Sequence, residues 1–120
     1  MSVEVIELSR NIMMVIVSGQ LTQPELAAAQ TQVAEAMAKM DHVRIVVITE
    51  DFAGWRQGGD WADLSFQIEN DAKIERMALV GDMRWKQQAL AFVGQGFRRF
   101  PIAYYEHGRL AQARAWVVGA

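Results

Sequence analysis

Residues 43–49 read Val-Arg-Ile-Val-Val-Ile-Thr, a β-branched run interrupted by one charge. Such a run has strand length, and a strand that is apolar at nearly every position needs cover on both faces, as central strands of parallel sheets do. A second apolar run at 12–17, Ile-Met-Met-Val-Ile-Val, has the same character. What lies between the two decides the fold class. Residues 22–25 read Thr-Gln-Pro-Glu, a capping box with Thr22 as N-cap, Pro24 inside the first turn and Glu25 at the third helical position. Leu26, Ala29, Val33, Met37 and Met40 then recur at spacings of three and four, which makes one buried stripe on an Ala-rich helix. Strand, helix and strand in that order make the two runs parallel neighbours joined by a right-handed crossover.

The same alternation continues to the end of the chain. The pattern predicts helices over 60–70, 84–93 and 109–118 and strands over 74–80 and 102–105. Gly94-Gln95-Gly96 stops one helix and Pro101 precedes the last strand. Before the first parallel strand, residues 3–8 mix Val3 and Val5 with Glu4 and Glu7, a pattern that suits an edge strand. The short polar link Ser9-Arg10-Asn11 predicts a hairpin between that edge and the strand at 12–17. The expected order is therefore β-β-α-β-α-β-α-β-α: an α/β fold whose five-stranded mixed sheet has its first strand antiparallel and the rest parallel, with four helices. No linker-like stretch interrupts it, so residues 1–120 are expected to form one domain.

Several segments in this order resemble the SpoIIAA-like family, whose fold STAS domains share. They are Gly19-Gln20-Leu21-Thr22, Asp51-Phe52-Ala53-Gly54-Trp55, the stretch from Ile74 through Asp82, Trp85, and Ala113-Arg114-Ala115-Trp116-Val117. The resemblance implies that fold, a small bacterial protein, and kinship with anti-sigma-factor antagonists and the lipid-binding CRAL-TRIO architecture; it implies no established activity. The antagonists resemble one another in carrying a phosphorylated Ser or Thr in the loop after the third strand. Here that loop reads Glu50-Asp51-Phe52-Ala53-Gly54, with no hydroxyl to receive a phosphate. No phosphoryl switch is expected at this loop.

Charge and residue inventory narrow the function classes. Twelve Lys and Arg against 14 Asp and Glu give a net charge of -2, without the basic excess that nucleic acid requires. There is no cysteine, so no disulfide framework, thiolate nucleophile or Cys zinc site. The 2 histidines, His42 and His107, fall on opposite edges of the predicted sheet and cannot share a metal. No serine sits in a G-x-S-x-G elbow, and Gly58-Gly59-Asp60 lacks the Lys-Ser/Thr of a P-loop. No metal and no cofactor are expected. The opening MSVEVIELSR has acidic residues where a signal peptide needs a basic start, and no apolar run approaches the ~20 residues that span a bilayer. A cytoplasmic location without membrane insertion is expected.

In parallel sheets, ligands meet the loops at the carboxyl ends of the strands. That edge collects the charged residues Glu50, Asp51, Arg56, Asp82, Arg84, Glu106 and His107 and the aromatic residues Phe52, Trp55 and Trp85. Asp82 is placed to cap the third helix. Trp85 and Trp116 fall on apolar stripes of their own helices. On the second helix Trp61, Leu64 and Ile68 share one face, which is expected to anchor it, while Ala62 and Phe66 make a second apolar patch on another side. Either that patch is core, or it belongs to an apolar groove or interface; both readings stay open. The leading expectation is a non-enzymatic binding or regulatory module. Its surface of Phe52, Trp55, Arg56, Trp61, Phe66, Asp82 and Trp85 would contact a protein partner, a second copy as a homodimer, or an apolar small molecule such as a lipid. The alternative is a small enzyme that uses the acidic and basic residues of the sheet edge.

Overall fold

The hairpin opens the fold. In the computed structural model, which describes residues 3–9, 11–57 and 65–119, β1 (Val3–Ser9) and β2 (Ile12–Ser18) pair antiparallel. Asn11 takes the left-handed conformation at the turn, φ 68°, which Asn tolerates better than most residues. From there the chain alternates: α1 (Gln23–Met37), β3 (Val43–Glu50), α2 (Ser65–Asn70), β4 (Ile74–Gly81), α3 (Lys86–Phe92), β5 (Ile102–Glu106) and α4 (Leu110–Val118). The strands β2 to β5 are parallel, as the sequence pattern predicts, and the structure adds their spatial order, β1-β2-β3-β4-β5.

Register carries the apolar pattern across the sheet. Val5, Val15, Val47, Leu79 and Tyr104 are successive partners from β1 to β5, so one row of side chains crosses the whole sheet on one face. Right-handed crossovers place α1, α2 and α3 over that face. Its core joins Met13, Ile45, Met77 and Leu79 of the strands to Val33 and Met37 of α1 and to Phe100 before β5. The opposite face is covered by α4, whose Ala113 and Val117 pack on Val46, Ala78 and Val80.

Thr22 and Asp82 act as the caps the sequence predicts, while Asp60, expected to cap the second helix, lies outside the described residues. The Thr22 hydroxyl accepts from the Glu25 backbone N–H at 3.3 Å and donates to the Glu25 carboxylate at 2.7 Å. Asp82 accepts from the Arg84 backbone N–H at 2.9 Å. That bond to the second residue along favours a tight 3₁₀ turn at Met83–Trp85, so α3 proper begins at Lys86 and not at Arg84. At its other end α4 is held by cations from the sheet. Arg44 and Arg76, side by side in register, donate to the carbonyls of Val117, Val118 and Trp116, with Gly119 turning the chain at φ 77°. Charge and carbonyls thus meet at the negative end of the helix dipole.

Helix α2 departs from the sequence expectation. Its described part begins at Ser65; Trp61, Ala62 and Leu64 lie outside the described residues. Ile68, expected on the anchoring face, is 80% exposed, whereas Phe66 packs against the core cluster. Of the two patches, only these two residues are described, Phe66 turned to the core and Ile68 to solvent. Asn70 closes the last turn of the helix by donating to the Phe66 carbonyl at 2.9 Å, and the next residue, Asp71, forms a paired contact with Arg98. The Asp71–Arg98 pair ties that end of the helix to the segment before β5. Among the described residues no helix is long and apolar enough to cross a membrane.

Candidate functional site

Two loops build the site. After β2 and β3 the chains stay paired: Gly19 donates to the Glu50 carbonyl, Ala53 to Gly19, Leu21 to Gly54 and Arg56 to Leu21, at 2.8–3.2 Å. Leu21 and Trp55 form an isolated parallel bridge, so the loop at 50–56 is fastened to its neighbour by main chain. Gly54 sits at φ 96°, and a Cβ there would lie 3.3 Å from the Trp85 ring. Glycine is needed on both counts, backbone conformation and approach.

This fastening brings the aromatic residues together. The rings of Phe52 and Trp55 are 5.0 Å apart, Phe52 and Trp85 5.1 Å, and Trp55 and Trp85 5.9 Å, all edge to face. Phe92 of α3 joins Trp55 at 5.2 Å. Edge-to-face pairs of this kind contribute ~0.5–1.5 kcal/mol each beyond their buried area. Phe52 is buried, Trp55 and Trp85 are half-buried, and the three rings turn to one another and to the interior. Instead of an outward aromatic surface they form one end of a cavity.

The cavity has a volume of about 420 Å³ and lies between the sheet and helices α1, α2 and α3. That falls within the ~300–1,000 Å³ of ligand pockets. Its walls are mainly apolar, among them Leu26 and Ala29 of α1, Val47 and Leu79 of the sheet, Phe66 of α2 and Ala89 of α3. The polar residues that line it are few and mostly engaged. Thr49 donates to the Val80 carbonyl at 3.2 Å, and Tyr104 donates to the Asp82 carbonyl at 2.7 Å. Burial and, secondarily, the negative charge of Asp82 hold the Tyr104 phenol above its ordinary pKa. Thr49 and Tyr104 reach across the position of Gly81, where any Cβ would collide with both hydroxyls. Arg98 grips Asp71 with two nitrogens, at 2.9 and 2.5 Å, and donates a third bond to the Val93 carbonyl at 3.1 Å. One donor is left over: Trp55 Nε1 is buried and has no hydrogen-bond partner among the described residues.

The expected site residues thus divide. Phe52, Trp55, Phe66 and Trp85 line the cavity; Arg56 and Asp82 are exposed, and Asp82 is a helix cap; Trp61 lies outside the described residues. The charged residues of the sheet edge do not converge. Arg84 stacks over the Trp85 ring at 5.0 Å, Glu106 pairs with Arg109 at 3.3 Å, and His107 Nε2 lies 2.7 Å from the Thr49 carbonyl. His42 sits at the other end of the sheet, 3.2 Å from Asn11. Among the described residues no three acidic or histidine side chains gather as a metal site would require.

A model of the SpoIIAA-like family matches residues 12–118. The chain belongs to the SpoIIAA-like family. The fold agrees: a crystal structure of an uncharacterised DUF3478-family protein with a SpoIIAA-like fold, from Shewanella loihica PV-4, superposes with a TM-score of 0.72. The two chains share 16% identity over 96% of this chain and 91% of that one, which shows a common SpoIIAA-like architecture and nothing finer. No curated protein matches the chain. Within this SpoIIAA-like protein, Leu26, Ala29, Gln30, Gln67, Arg98 and Tyr104 are the site residues that sequence reasoning passed over. Ala29 belonged to the predicted α1 stripe; nothing in the sequence set Arg98 apart from its neighbour Arg99.

Proposed function

We propose that this SpoIIAA-like protein is a non-enzymatic binding module that takes up a small apolar molecule between its sheet and helices α1 to α3. The observation that supports the reading is the aromatic-ended cavity of about 420 Å³, apolar on most of its wall and bounded by paired or capped polar groups. An apolar guest gains there by leaving water, at ~25 cal/mol per Å² of apolar area buried. The enzyme alternative has less support, because Asp82, Arg84, Glu106 and His107 of the sheet edge serve a cap and local contacts. The test is thermal denaturation with a panel of small apolar aromatic and aliphatic molecules. A guest present at a hundred times its Kd stabilises the native state by ~2.7 kcal/mol, a shift easily read. A panel that leaves the melting temperature unmoved would count against the reading.

A further inference from the structure

We infer that two copies of this chain associate face to face about a two-fold axis, each laying its α4 on the open outer face of the other's β1 and β2. The interface uses the side of the sheet away from the cavity, so it stands apart from the cavity-binding reading.

The first observation is an uncovered shelf. In the hairpin Val3, Val5, Met13 and Val17 face helices α1 to α3, so Glu4, Ile6, Met14 and Ile16 face the other way. On that side α4 packs on β3, β4 and β5, and its Trp116 leans to the far edge, with its ring 6.4 Å from that of Tyr105. No described helix packs over Ile6 and Ile16, which stay half-buried. A sheet face left to water is ordinarily polar. Here it is mainly apolar.

The second observation is α4 itself. A surface helix turns charged and polar residues outward, yet of the 9 residues of α4 two are polar, Gln112 and Arg114. Ala113 and Val117 meet the sheet, while Ala111, Ala115 and Val118 are exposed on the side away from it. Ridge and shelf are complements within one molecule. The ridge stands about one helix diameter, ~10 Å, above the sheet. A second copy, turned over by a two-fold axis parallel to the strands, brings its own ridge level with the first and onto the vacant shelf. Both shelves are covered at once, and the short Ala111 and Ala115 side chains allow close approach. Such a self-complementary interface closes as a dimer.

Charge agrees with that docking. The axis keeps every residue at its own height along the strands. Glu4, Ile16, Ile48, Val80 and Tyr105 make one row across the sheet, and α4 begins just beyond that row, after the turn His107–Arg109. Glu4 is exposed and has no partner among the described residues. At its height the second copy presents the start of α4, where Arg109 is exposed and shared between Glu106 and Gln112. Arg114, one turn on, is long enough to carry its guanidinium toward the same end. The ridge therefore brings cations to the end of the shelf that carries the carboxylate.

Sedimentation velocity on the whole protein tests the inference. One helix on two strands, made twice, is a small interface, and the expected dissociation constant is on the order of 1–100 µM. Ala115→Arg, on the outward side of α4, should weaken the dimer at least about tenfold by placing a charge against an apolar shelf. Its thermal midpoint, read by circular dichroism on the monomer, should stay that of the unaltered chain. Glu4→Arg should weaken the dimer about fivefold, since it sets cation against cation. Phe97→Ser removes an apolar side chain that is 95% exposed elsewhere on the molecule and should leave association unchanged. A protein still monomeric at about 1 mM, a dimer untouched by Ala115→Arg or by Glu4→Arg, or one abolished by Phe97→Ser would overturn the inference.

Discussion

Filling the cavity from α1 tests whether the space is real. Ala29 lies mid-helix, is buried, and lines the cavity beside Val17, Leu21 and Phe52. Ala29→Leu changes helix propensity little. It adds three carbons, and at ~0.8 kcal/mol for each buried CH₂ the transfer contribution is at most ~2.4 kcal/mol. Loss of leucine rotamer freedom takes back ~0.5–1 kcal/mol. The net expectation is a stabilisation of about 1–2 kcal/mol. In a close-packed site the same change forces neighbours off their rotamers and destabilises by ~1–3 kcal/mol, so the two cases differ in sign. Urea denaturation reads the difference directly, as a raised midpoint at unchanged slope. Apolar guests should bind the variant weakly or not at all, because the leucine occupies their space. A midpoint that falls by the equivalent of more than about 1 kcal/mol would refute the reasoning, since it would mean the region is already packed.

Three further outcomes follow from the polar framework. Asp71→Ala should destabilise by ~3–5 kcal/mol in urea denaturation, because it strands the nearly buried Arg98 charge at the cavity wall, and Asp71→Ala with Arg98→Met should recover a large part of that loss. Arg76→Met should cost about 1–2 kcal/mol by removing the charge-assisted bond to the Trp116 carbonyl at the end of α4; an unchanged midpoint would show that Arg44 alone secures the helix. For Tyr104 the folded-state pKa lies above the unfolded one, so its contribution is whole below the ordinary phenol value of about 10 and is lost as pH rises through the higher folded value. Tyr104→Phe should therefore lose about 1 kcal/mol at neutral pH, with the gap to the unaltered protein closing above about pH 10; a gap that widens there would reverse the argument.

Much of the architecture could be read along the chain because its signals are local. The run at 43–49 is apolar on both faces, Thr22 and Glu25 are three residues apart, and the spacing from Leu26 to Met37 is helical in itself. Such patterns state a period and a cap without knowledge of any distant residue. The crossover rule then makes the strands at 12–17 and 43–49 parallel neighbours, while the full order β1-β2-β3-β4-β5 is seen only in the structure.

Orientation and empty space are different quantities. Helix α2 carries apolar residues on two sides, and periodicity alone cannot rank them; packing against the core cluster takes Phe66 and leaves Ile68 in solvent. The aromatic residues were visible as types, but whether Phe52, Trp55 and Trp85 point to water or to one another depended on the main-chain bonds between two loops thirty residues apart. A cavity is the volume that side chains from eight elements fail to fill, and no residue encodes it by itself. The order of strands and helices thus belonged to the sequence, through periodicities carried within each segment. The inward site belonged to the tertiary structure, because packing and long-range polar pairs decide which face of each segment meets which neighbour.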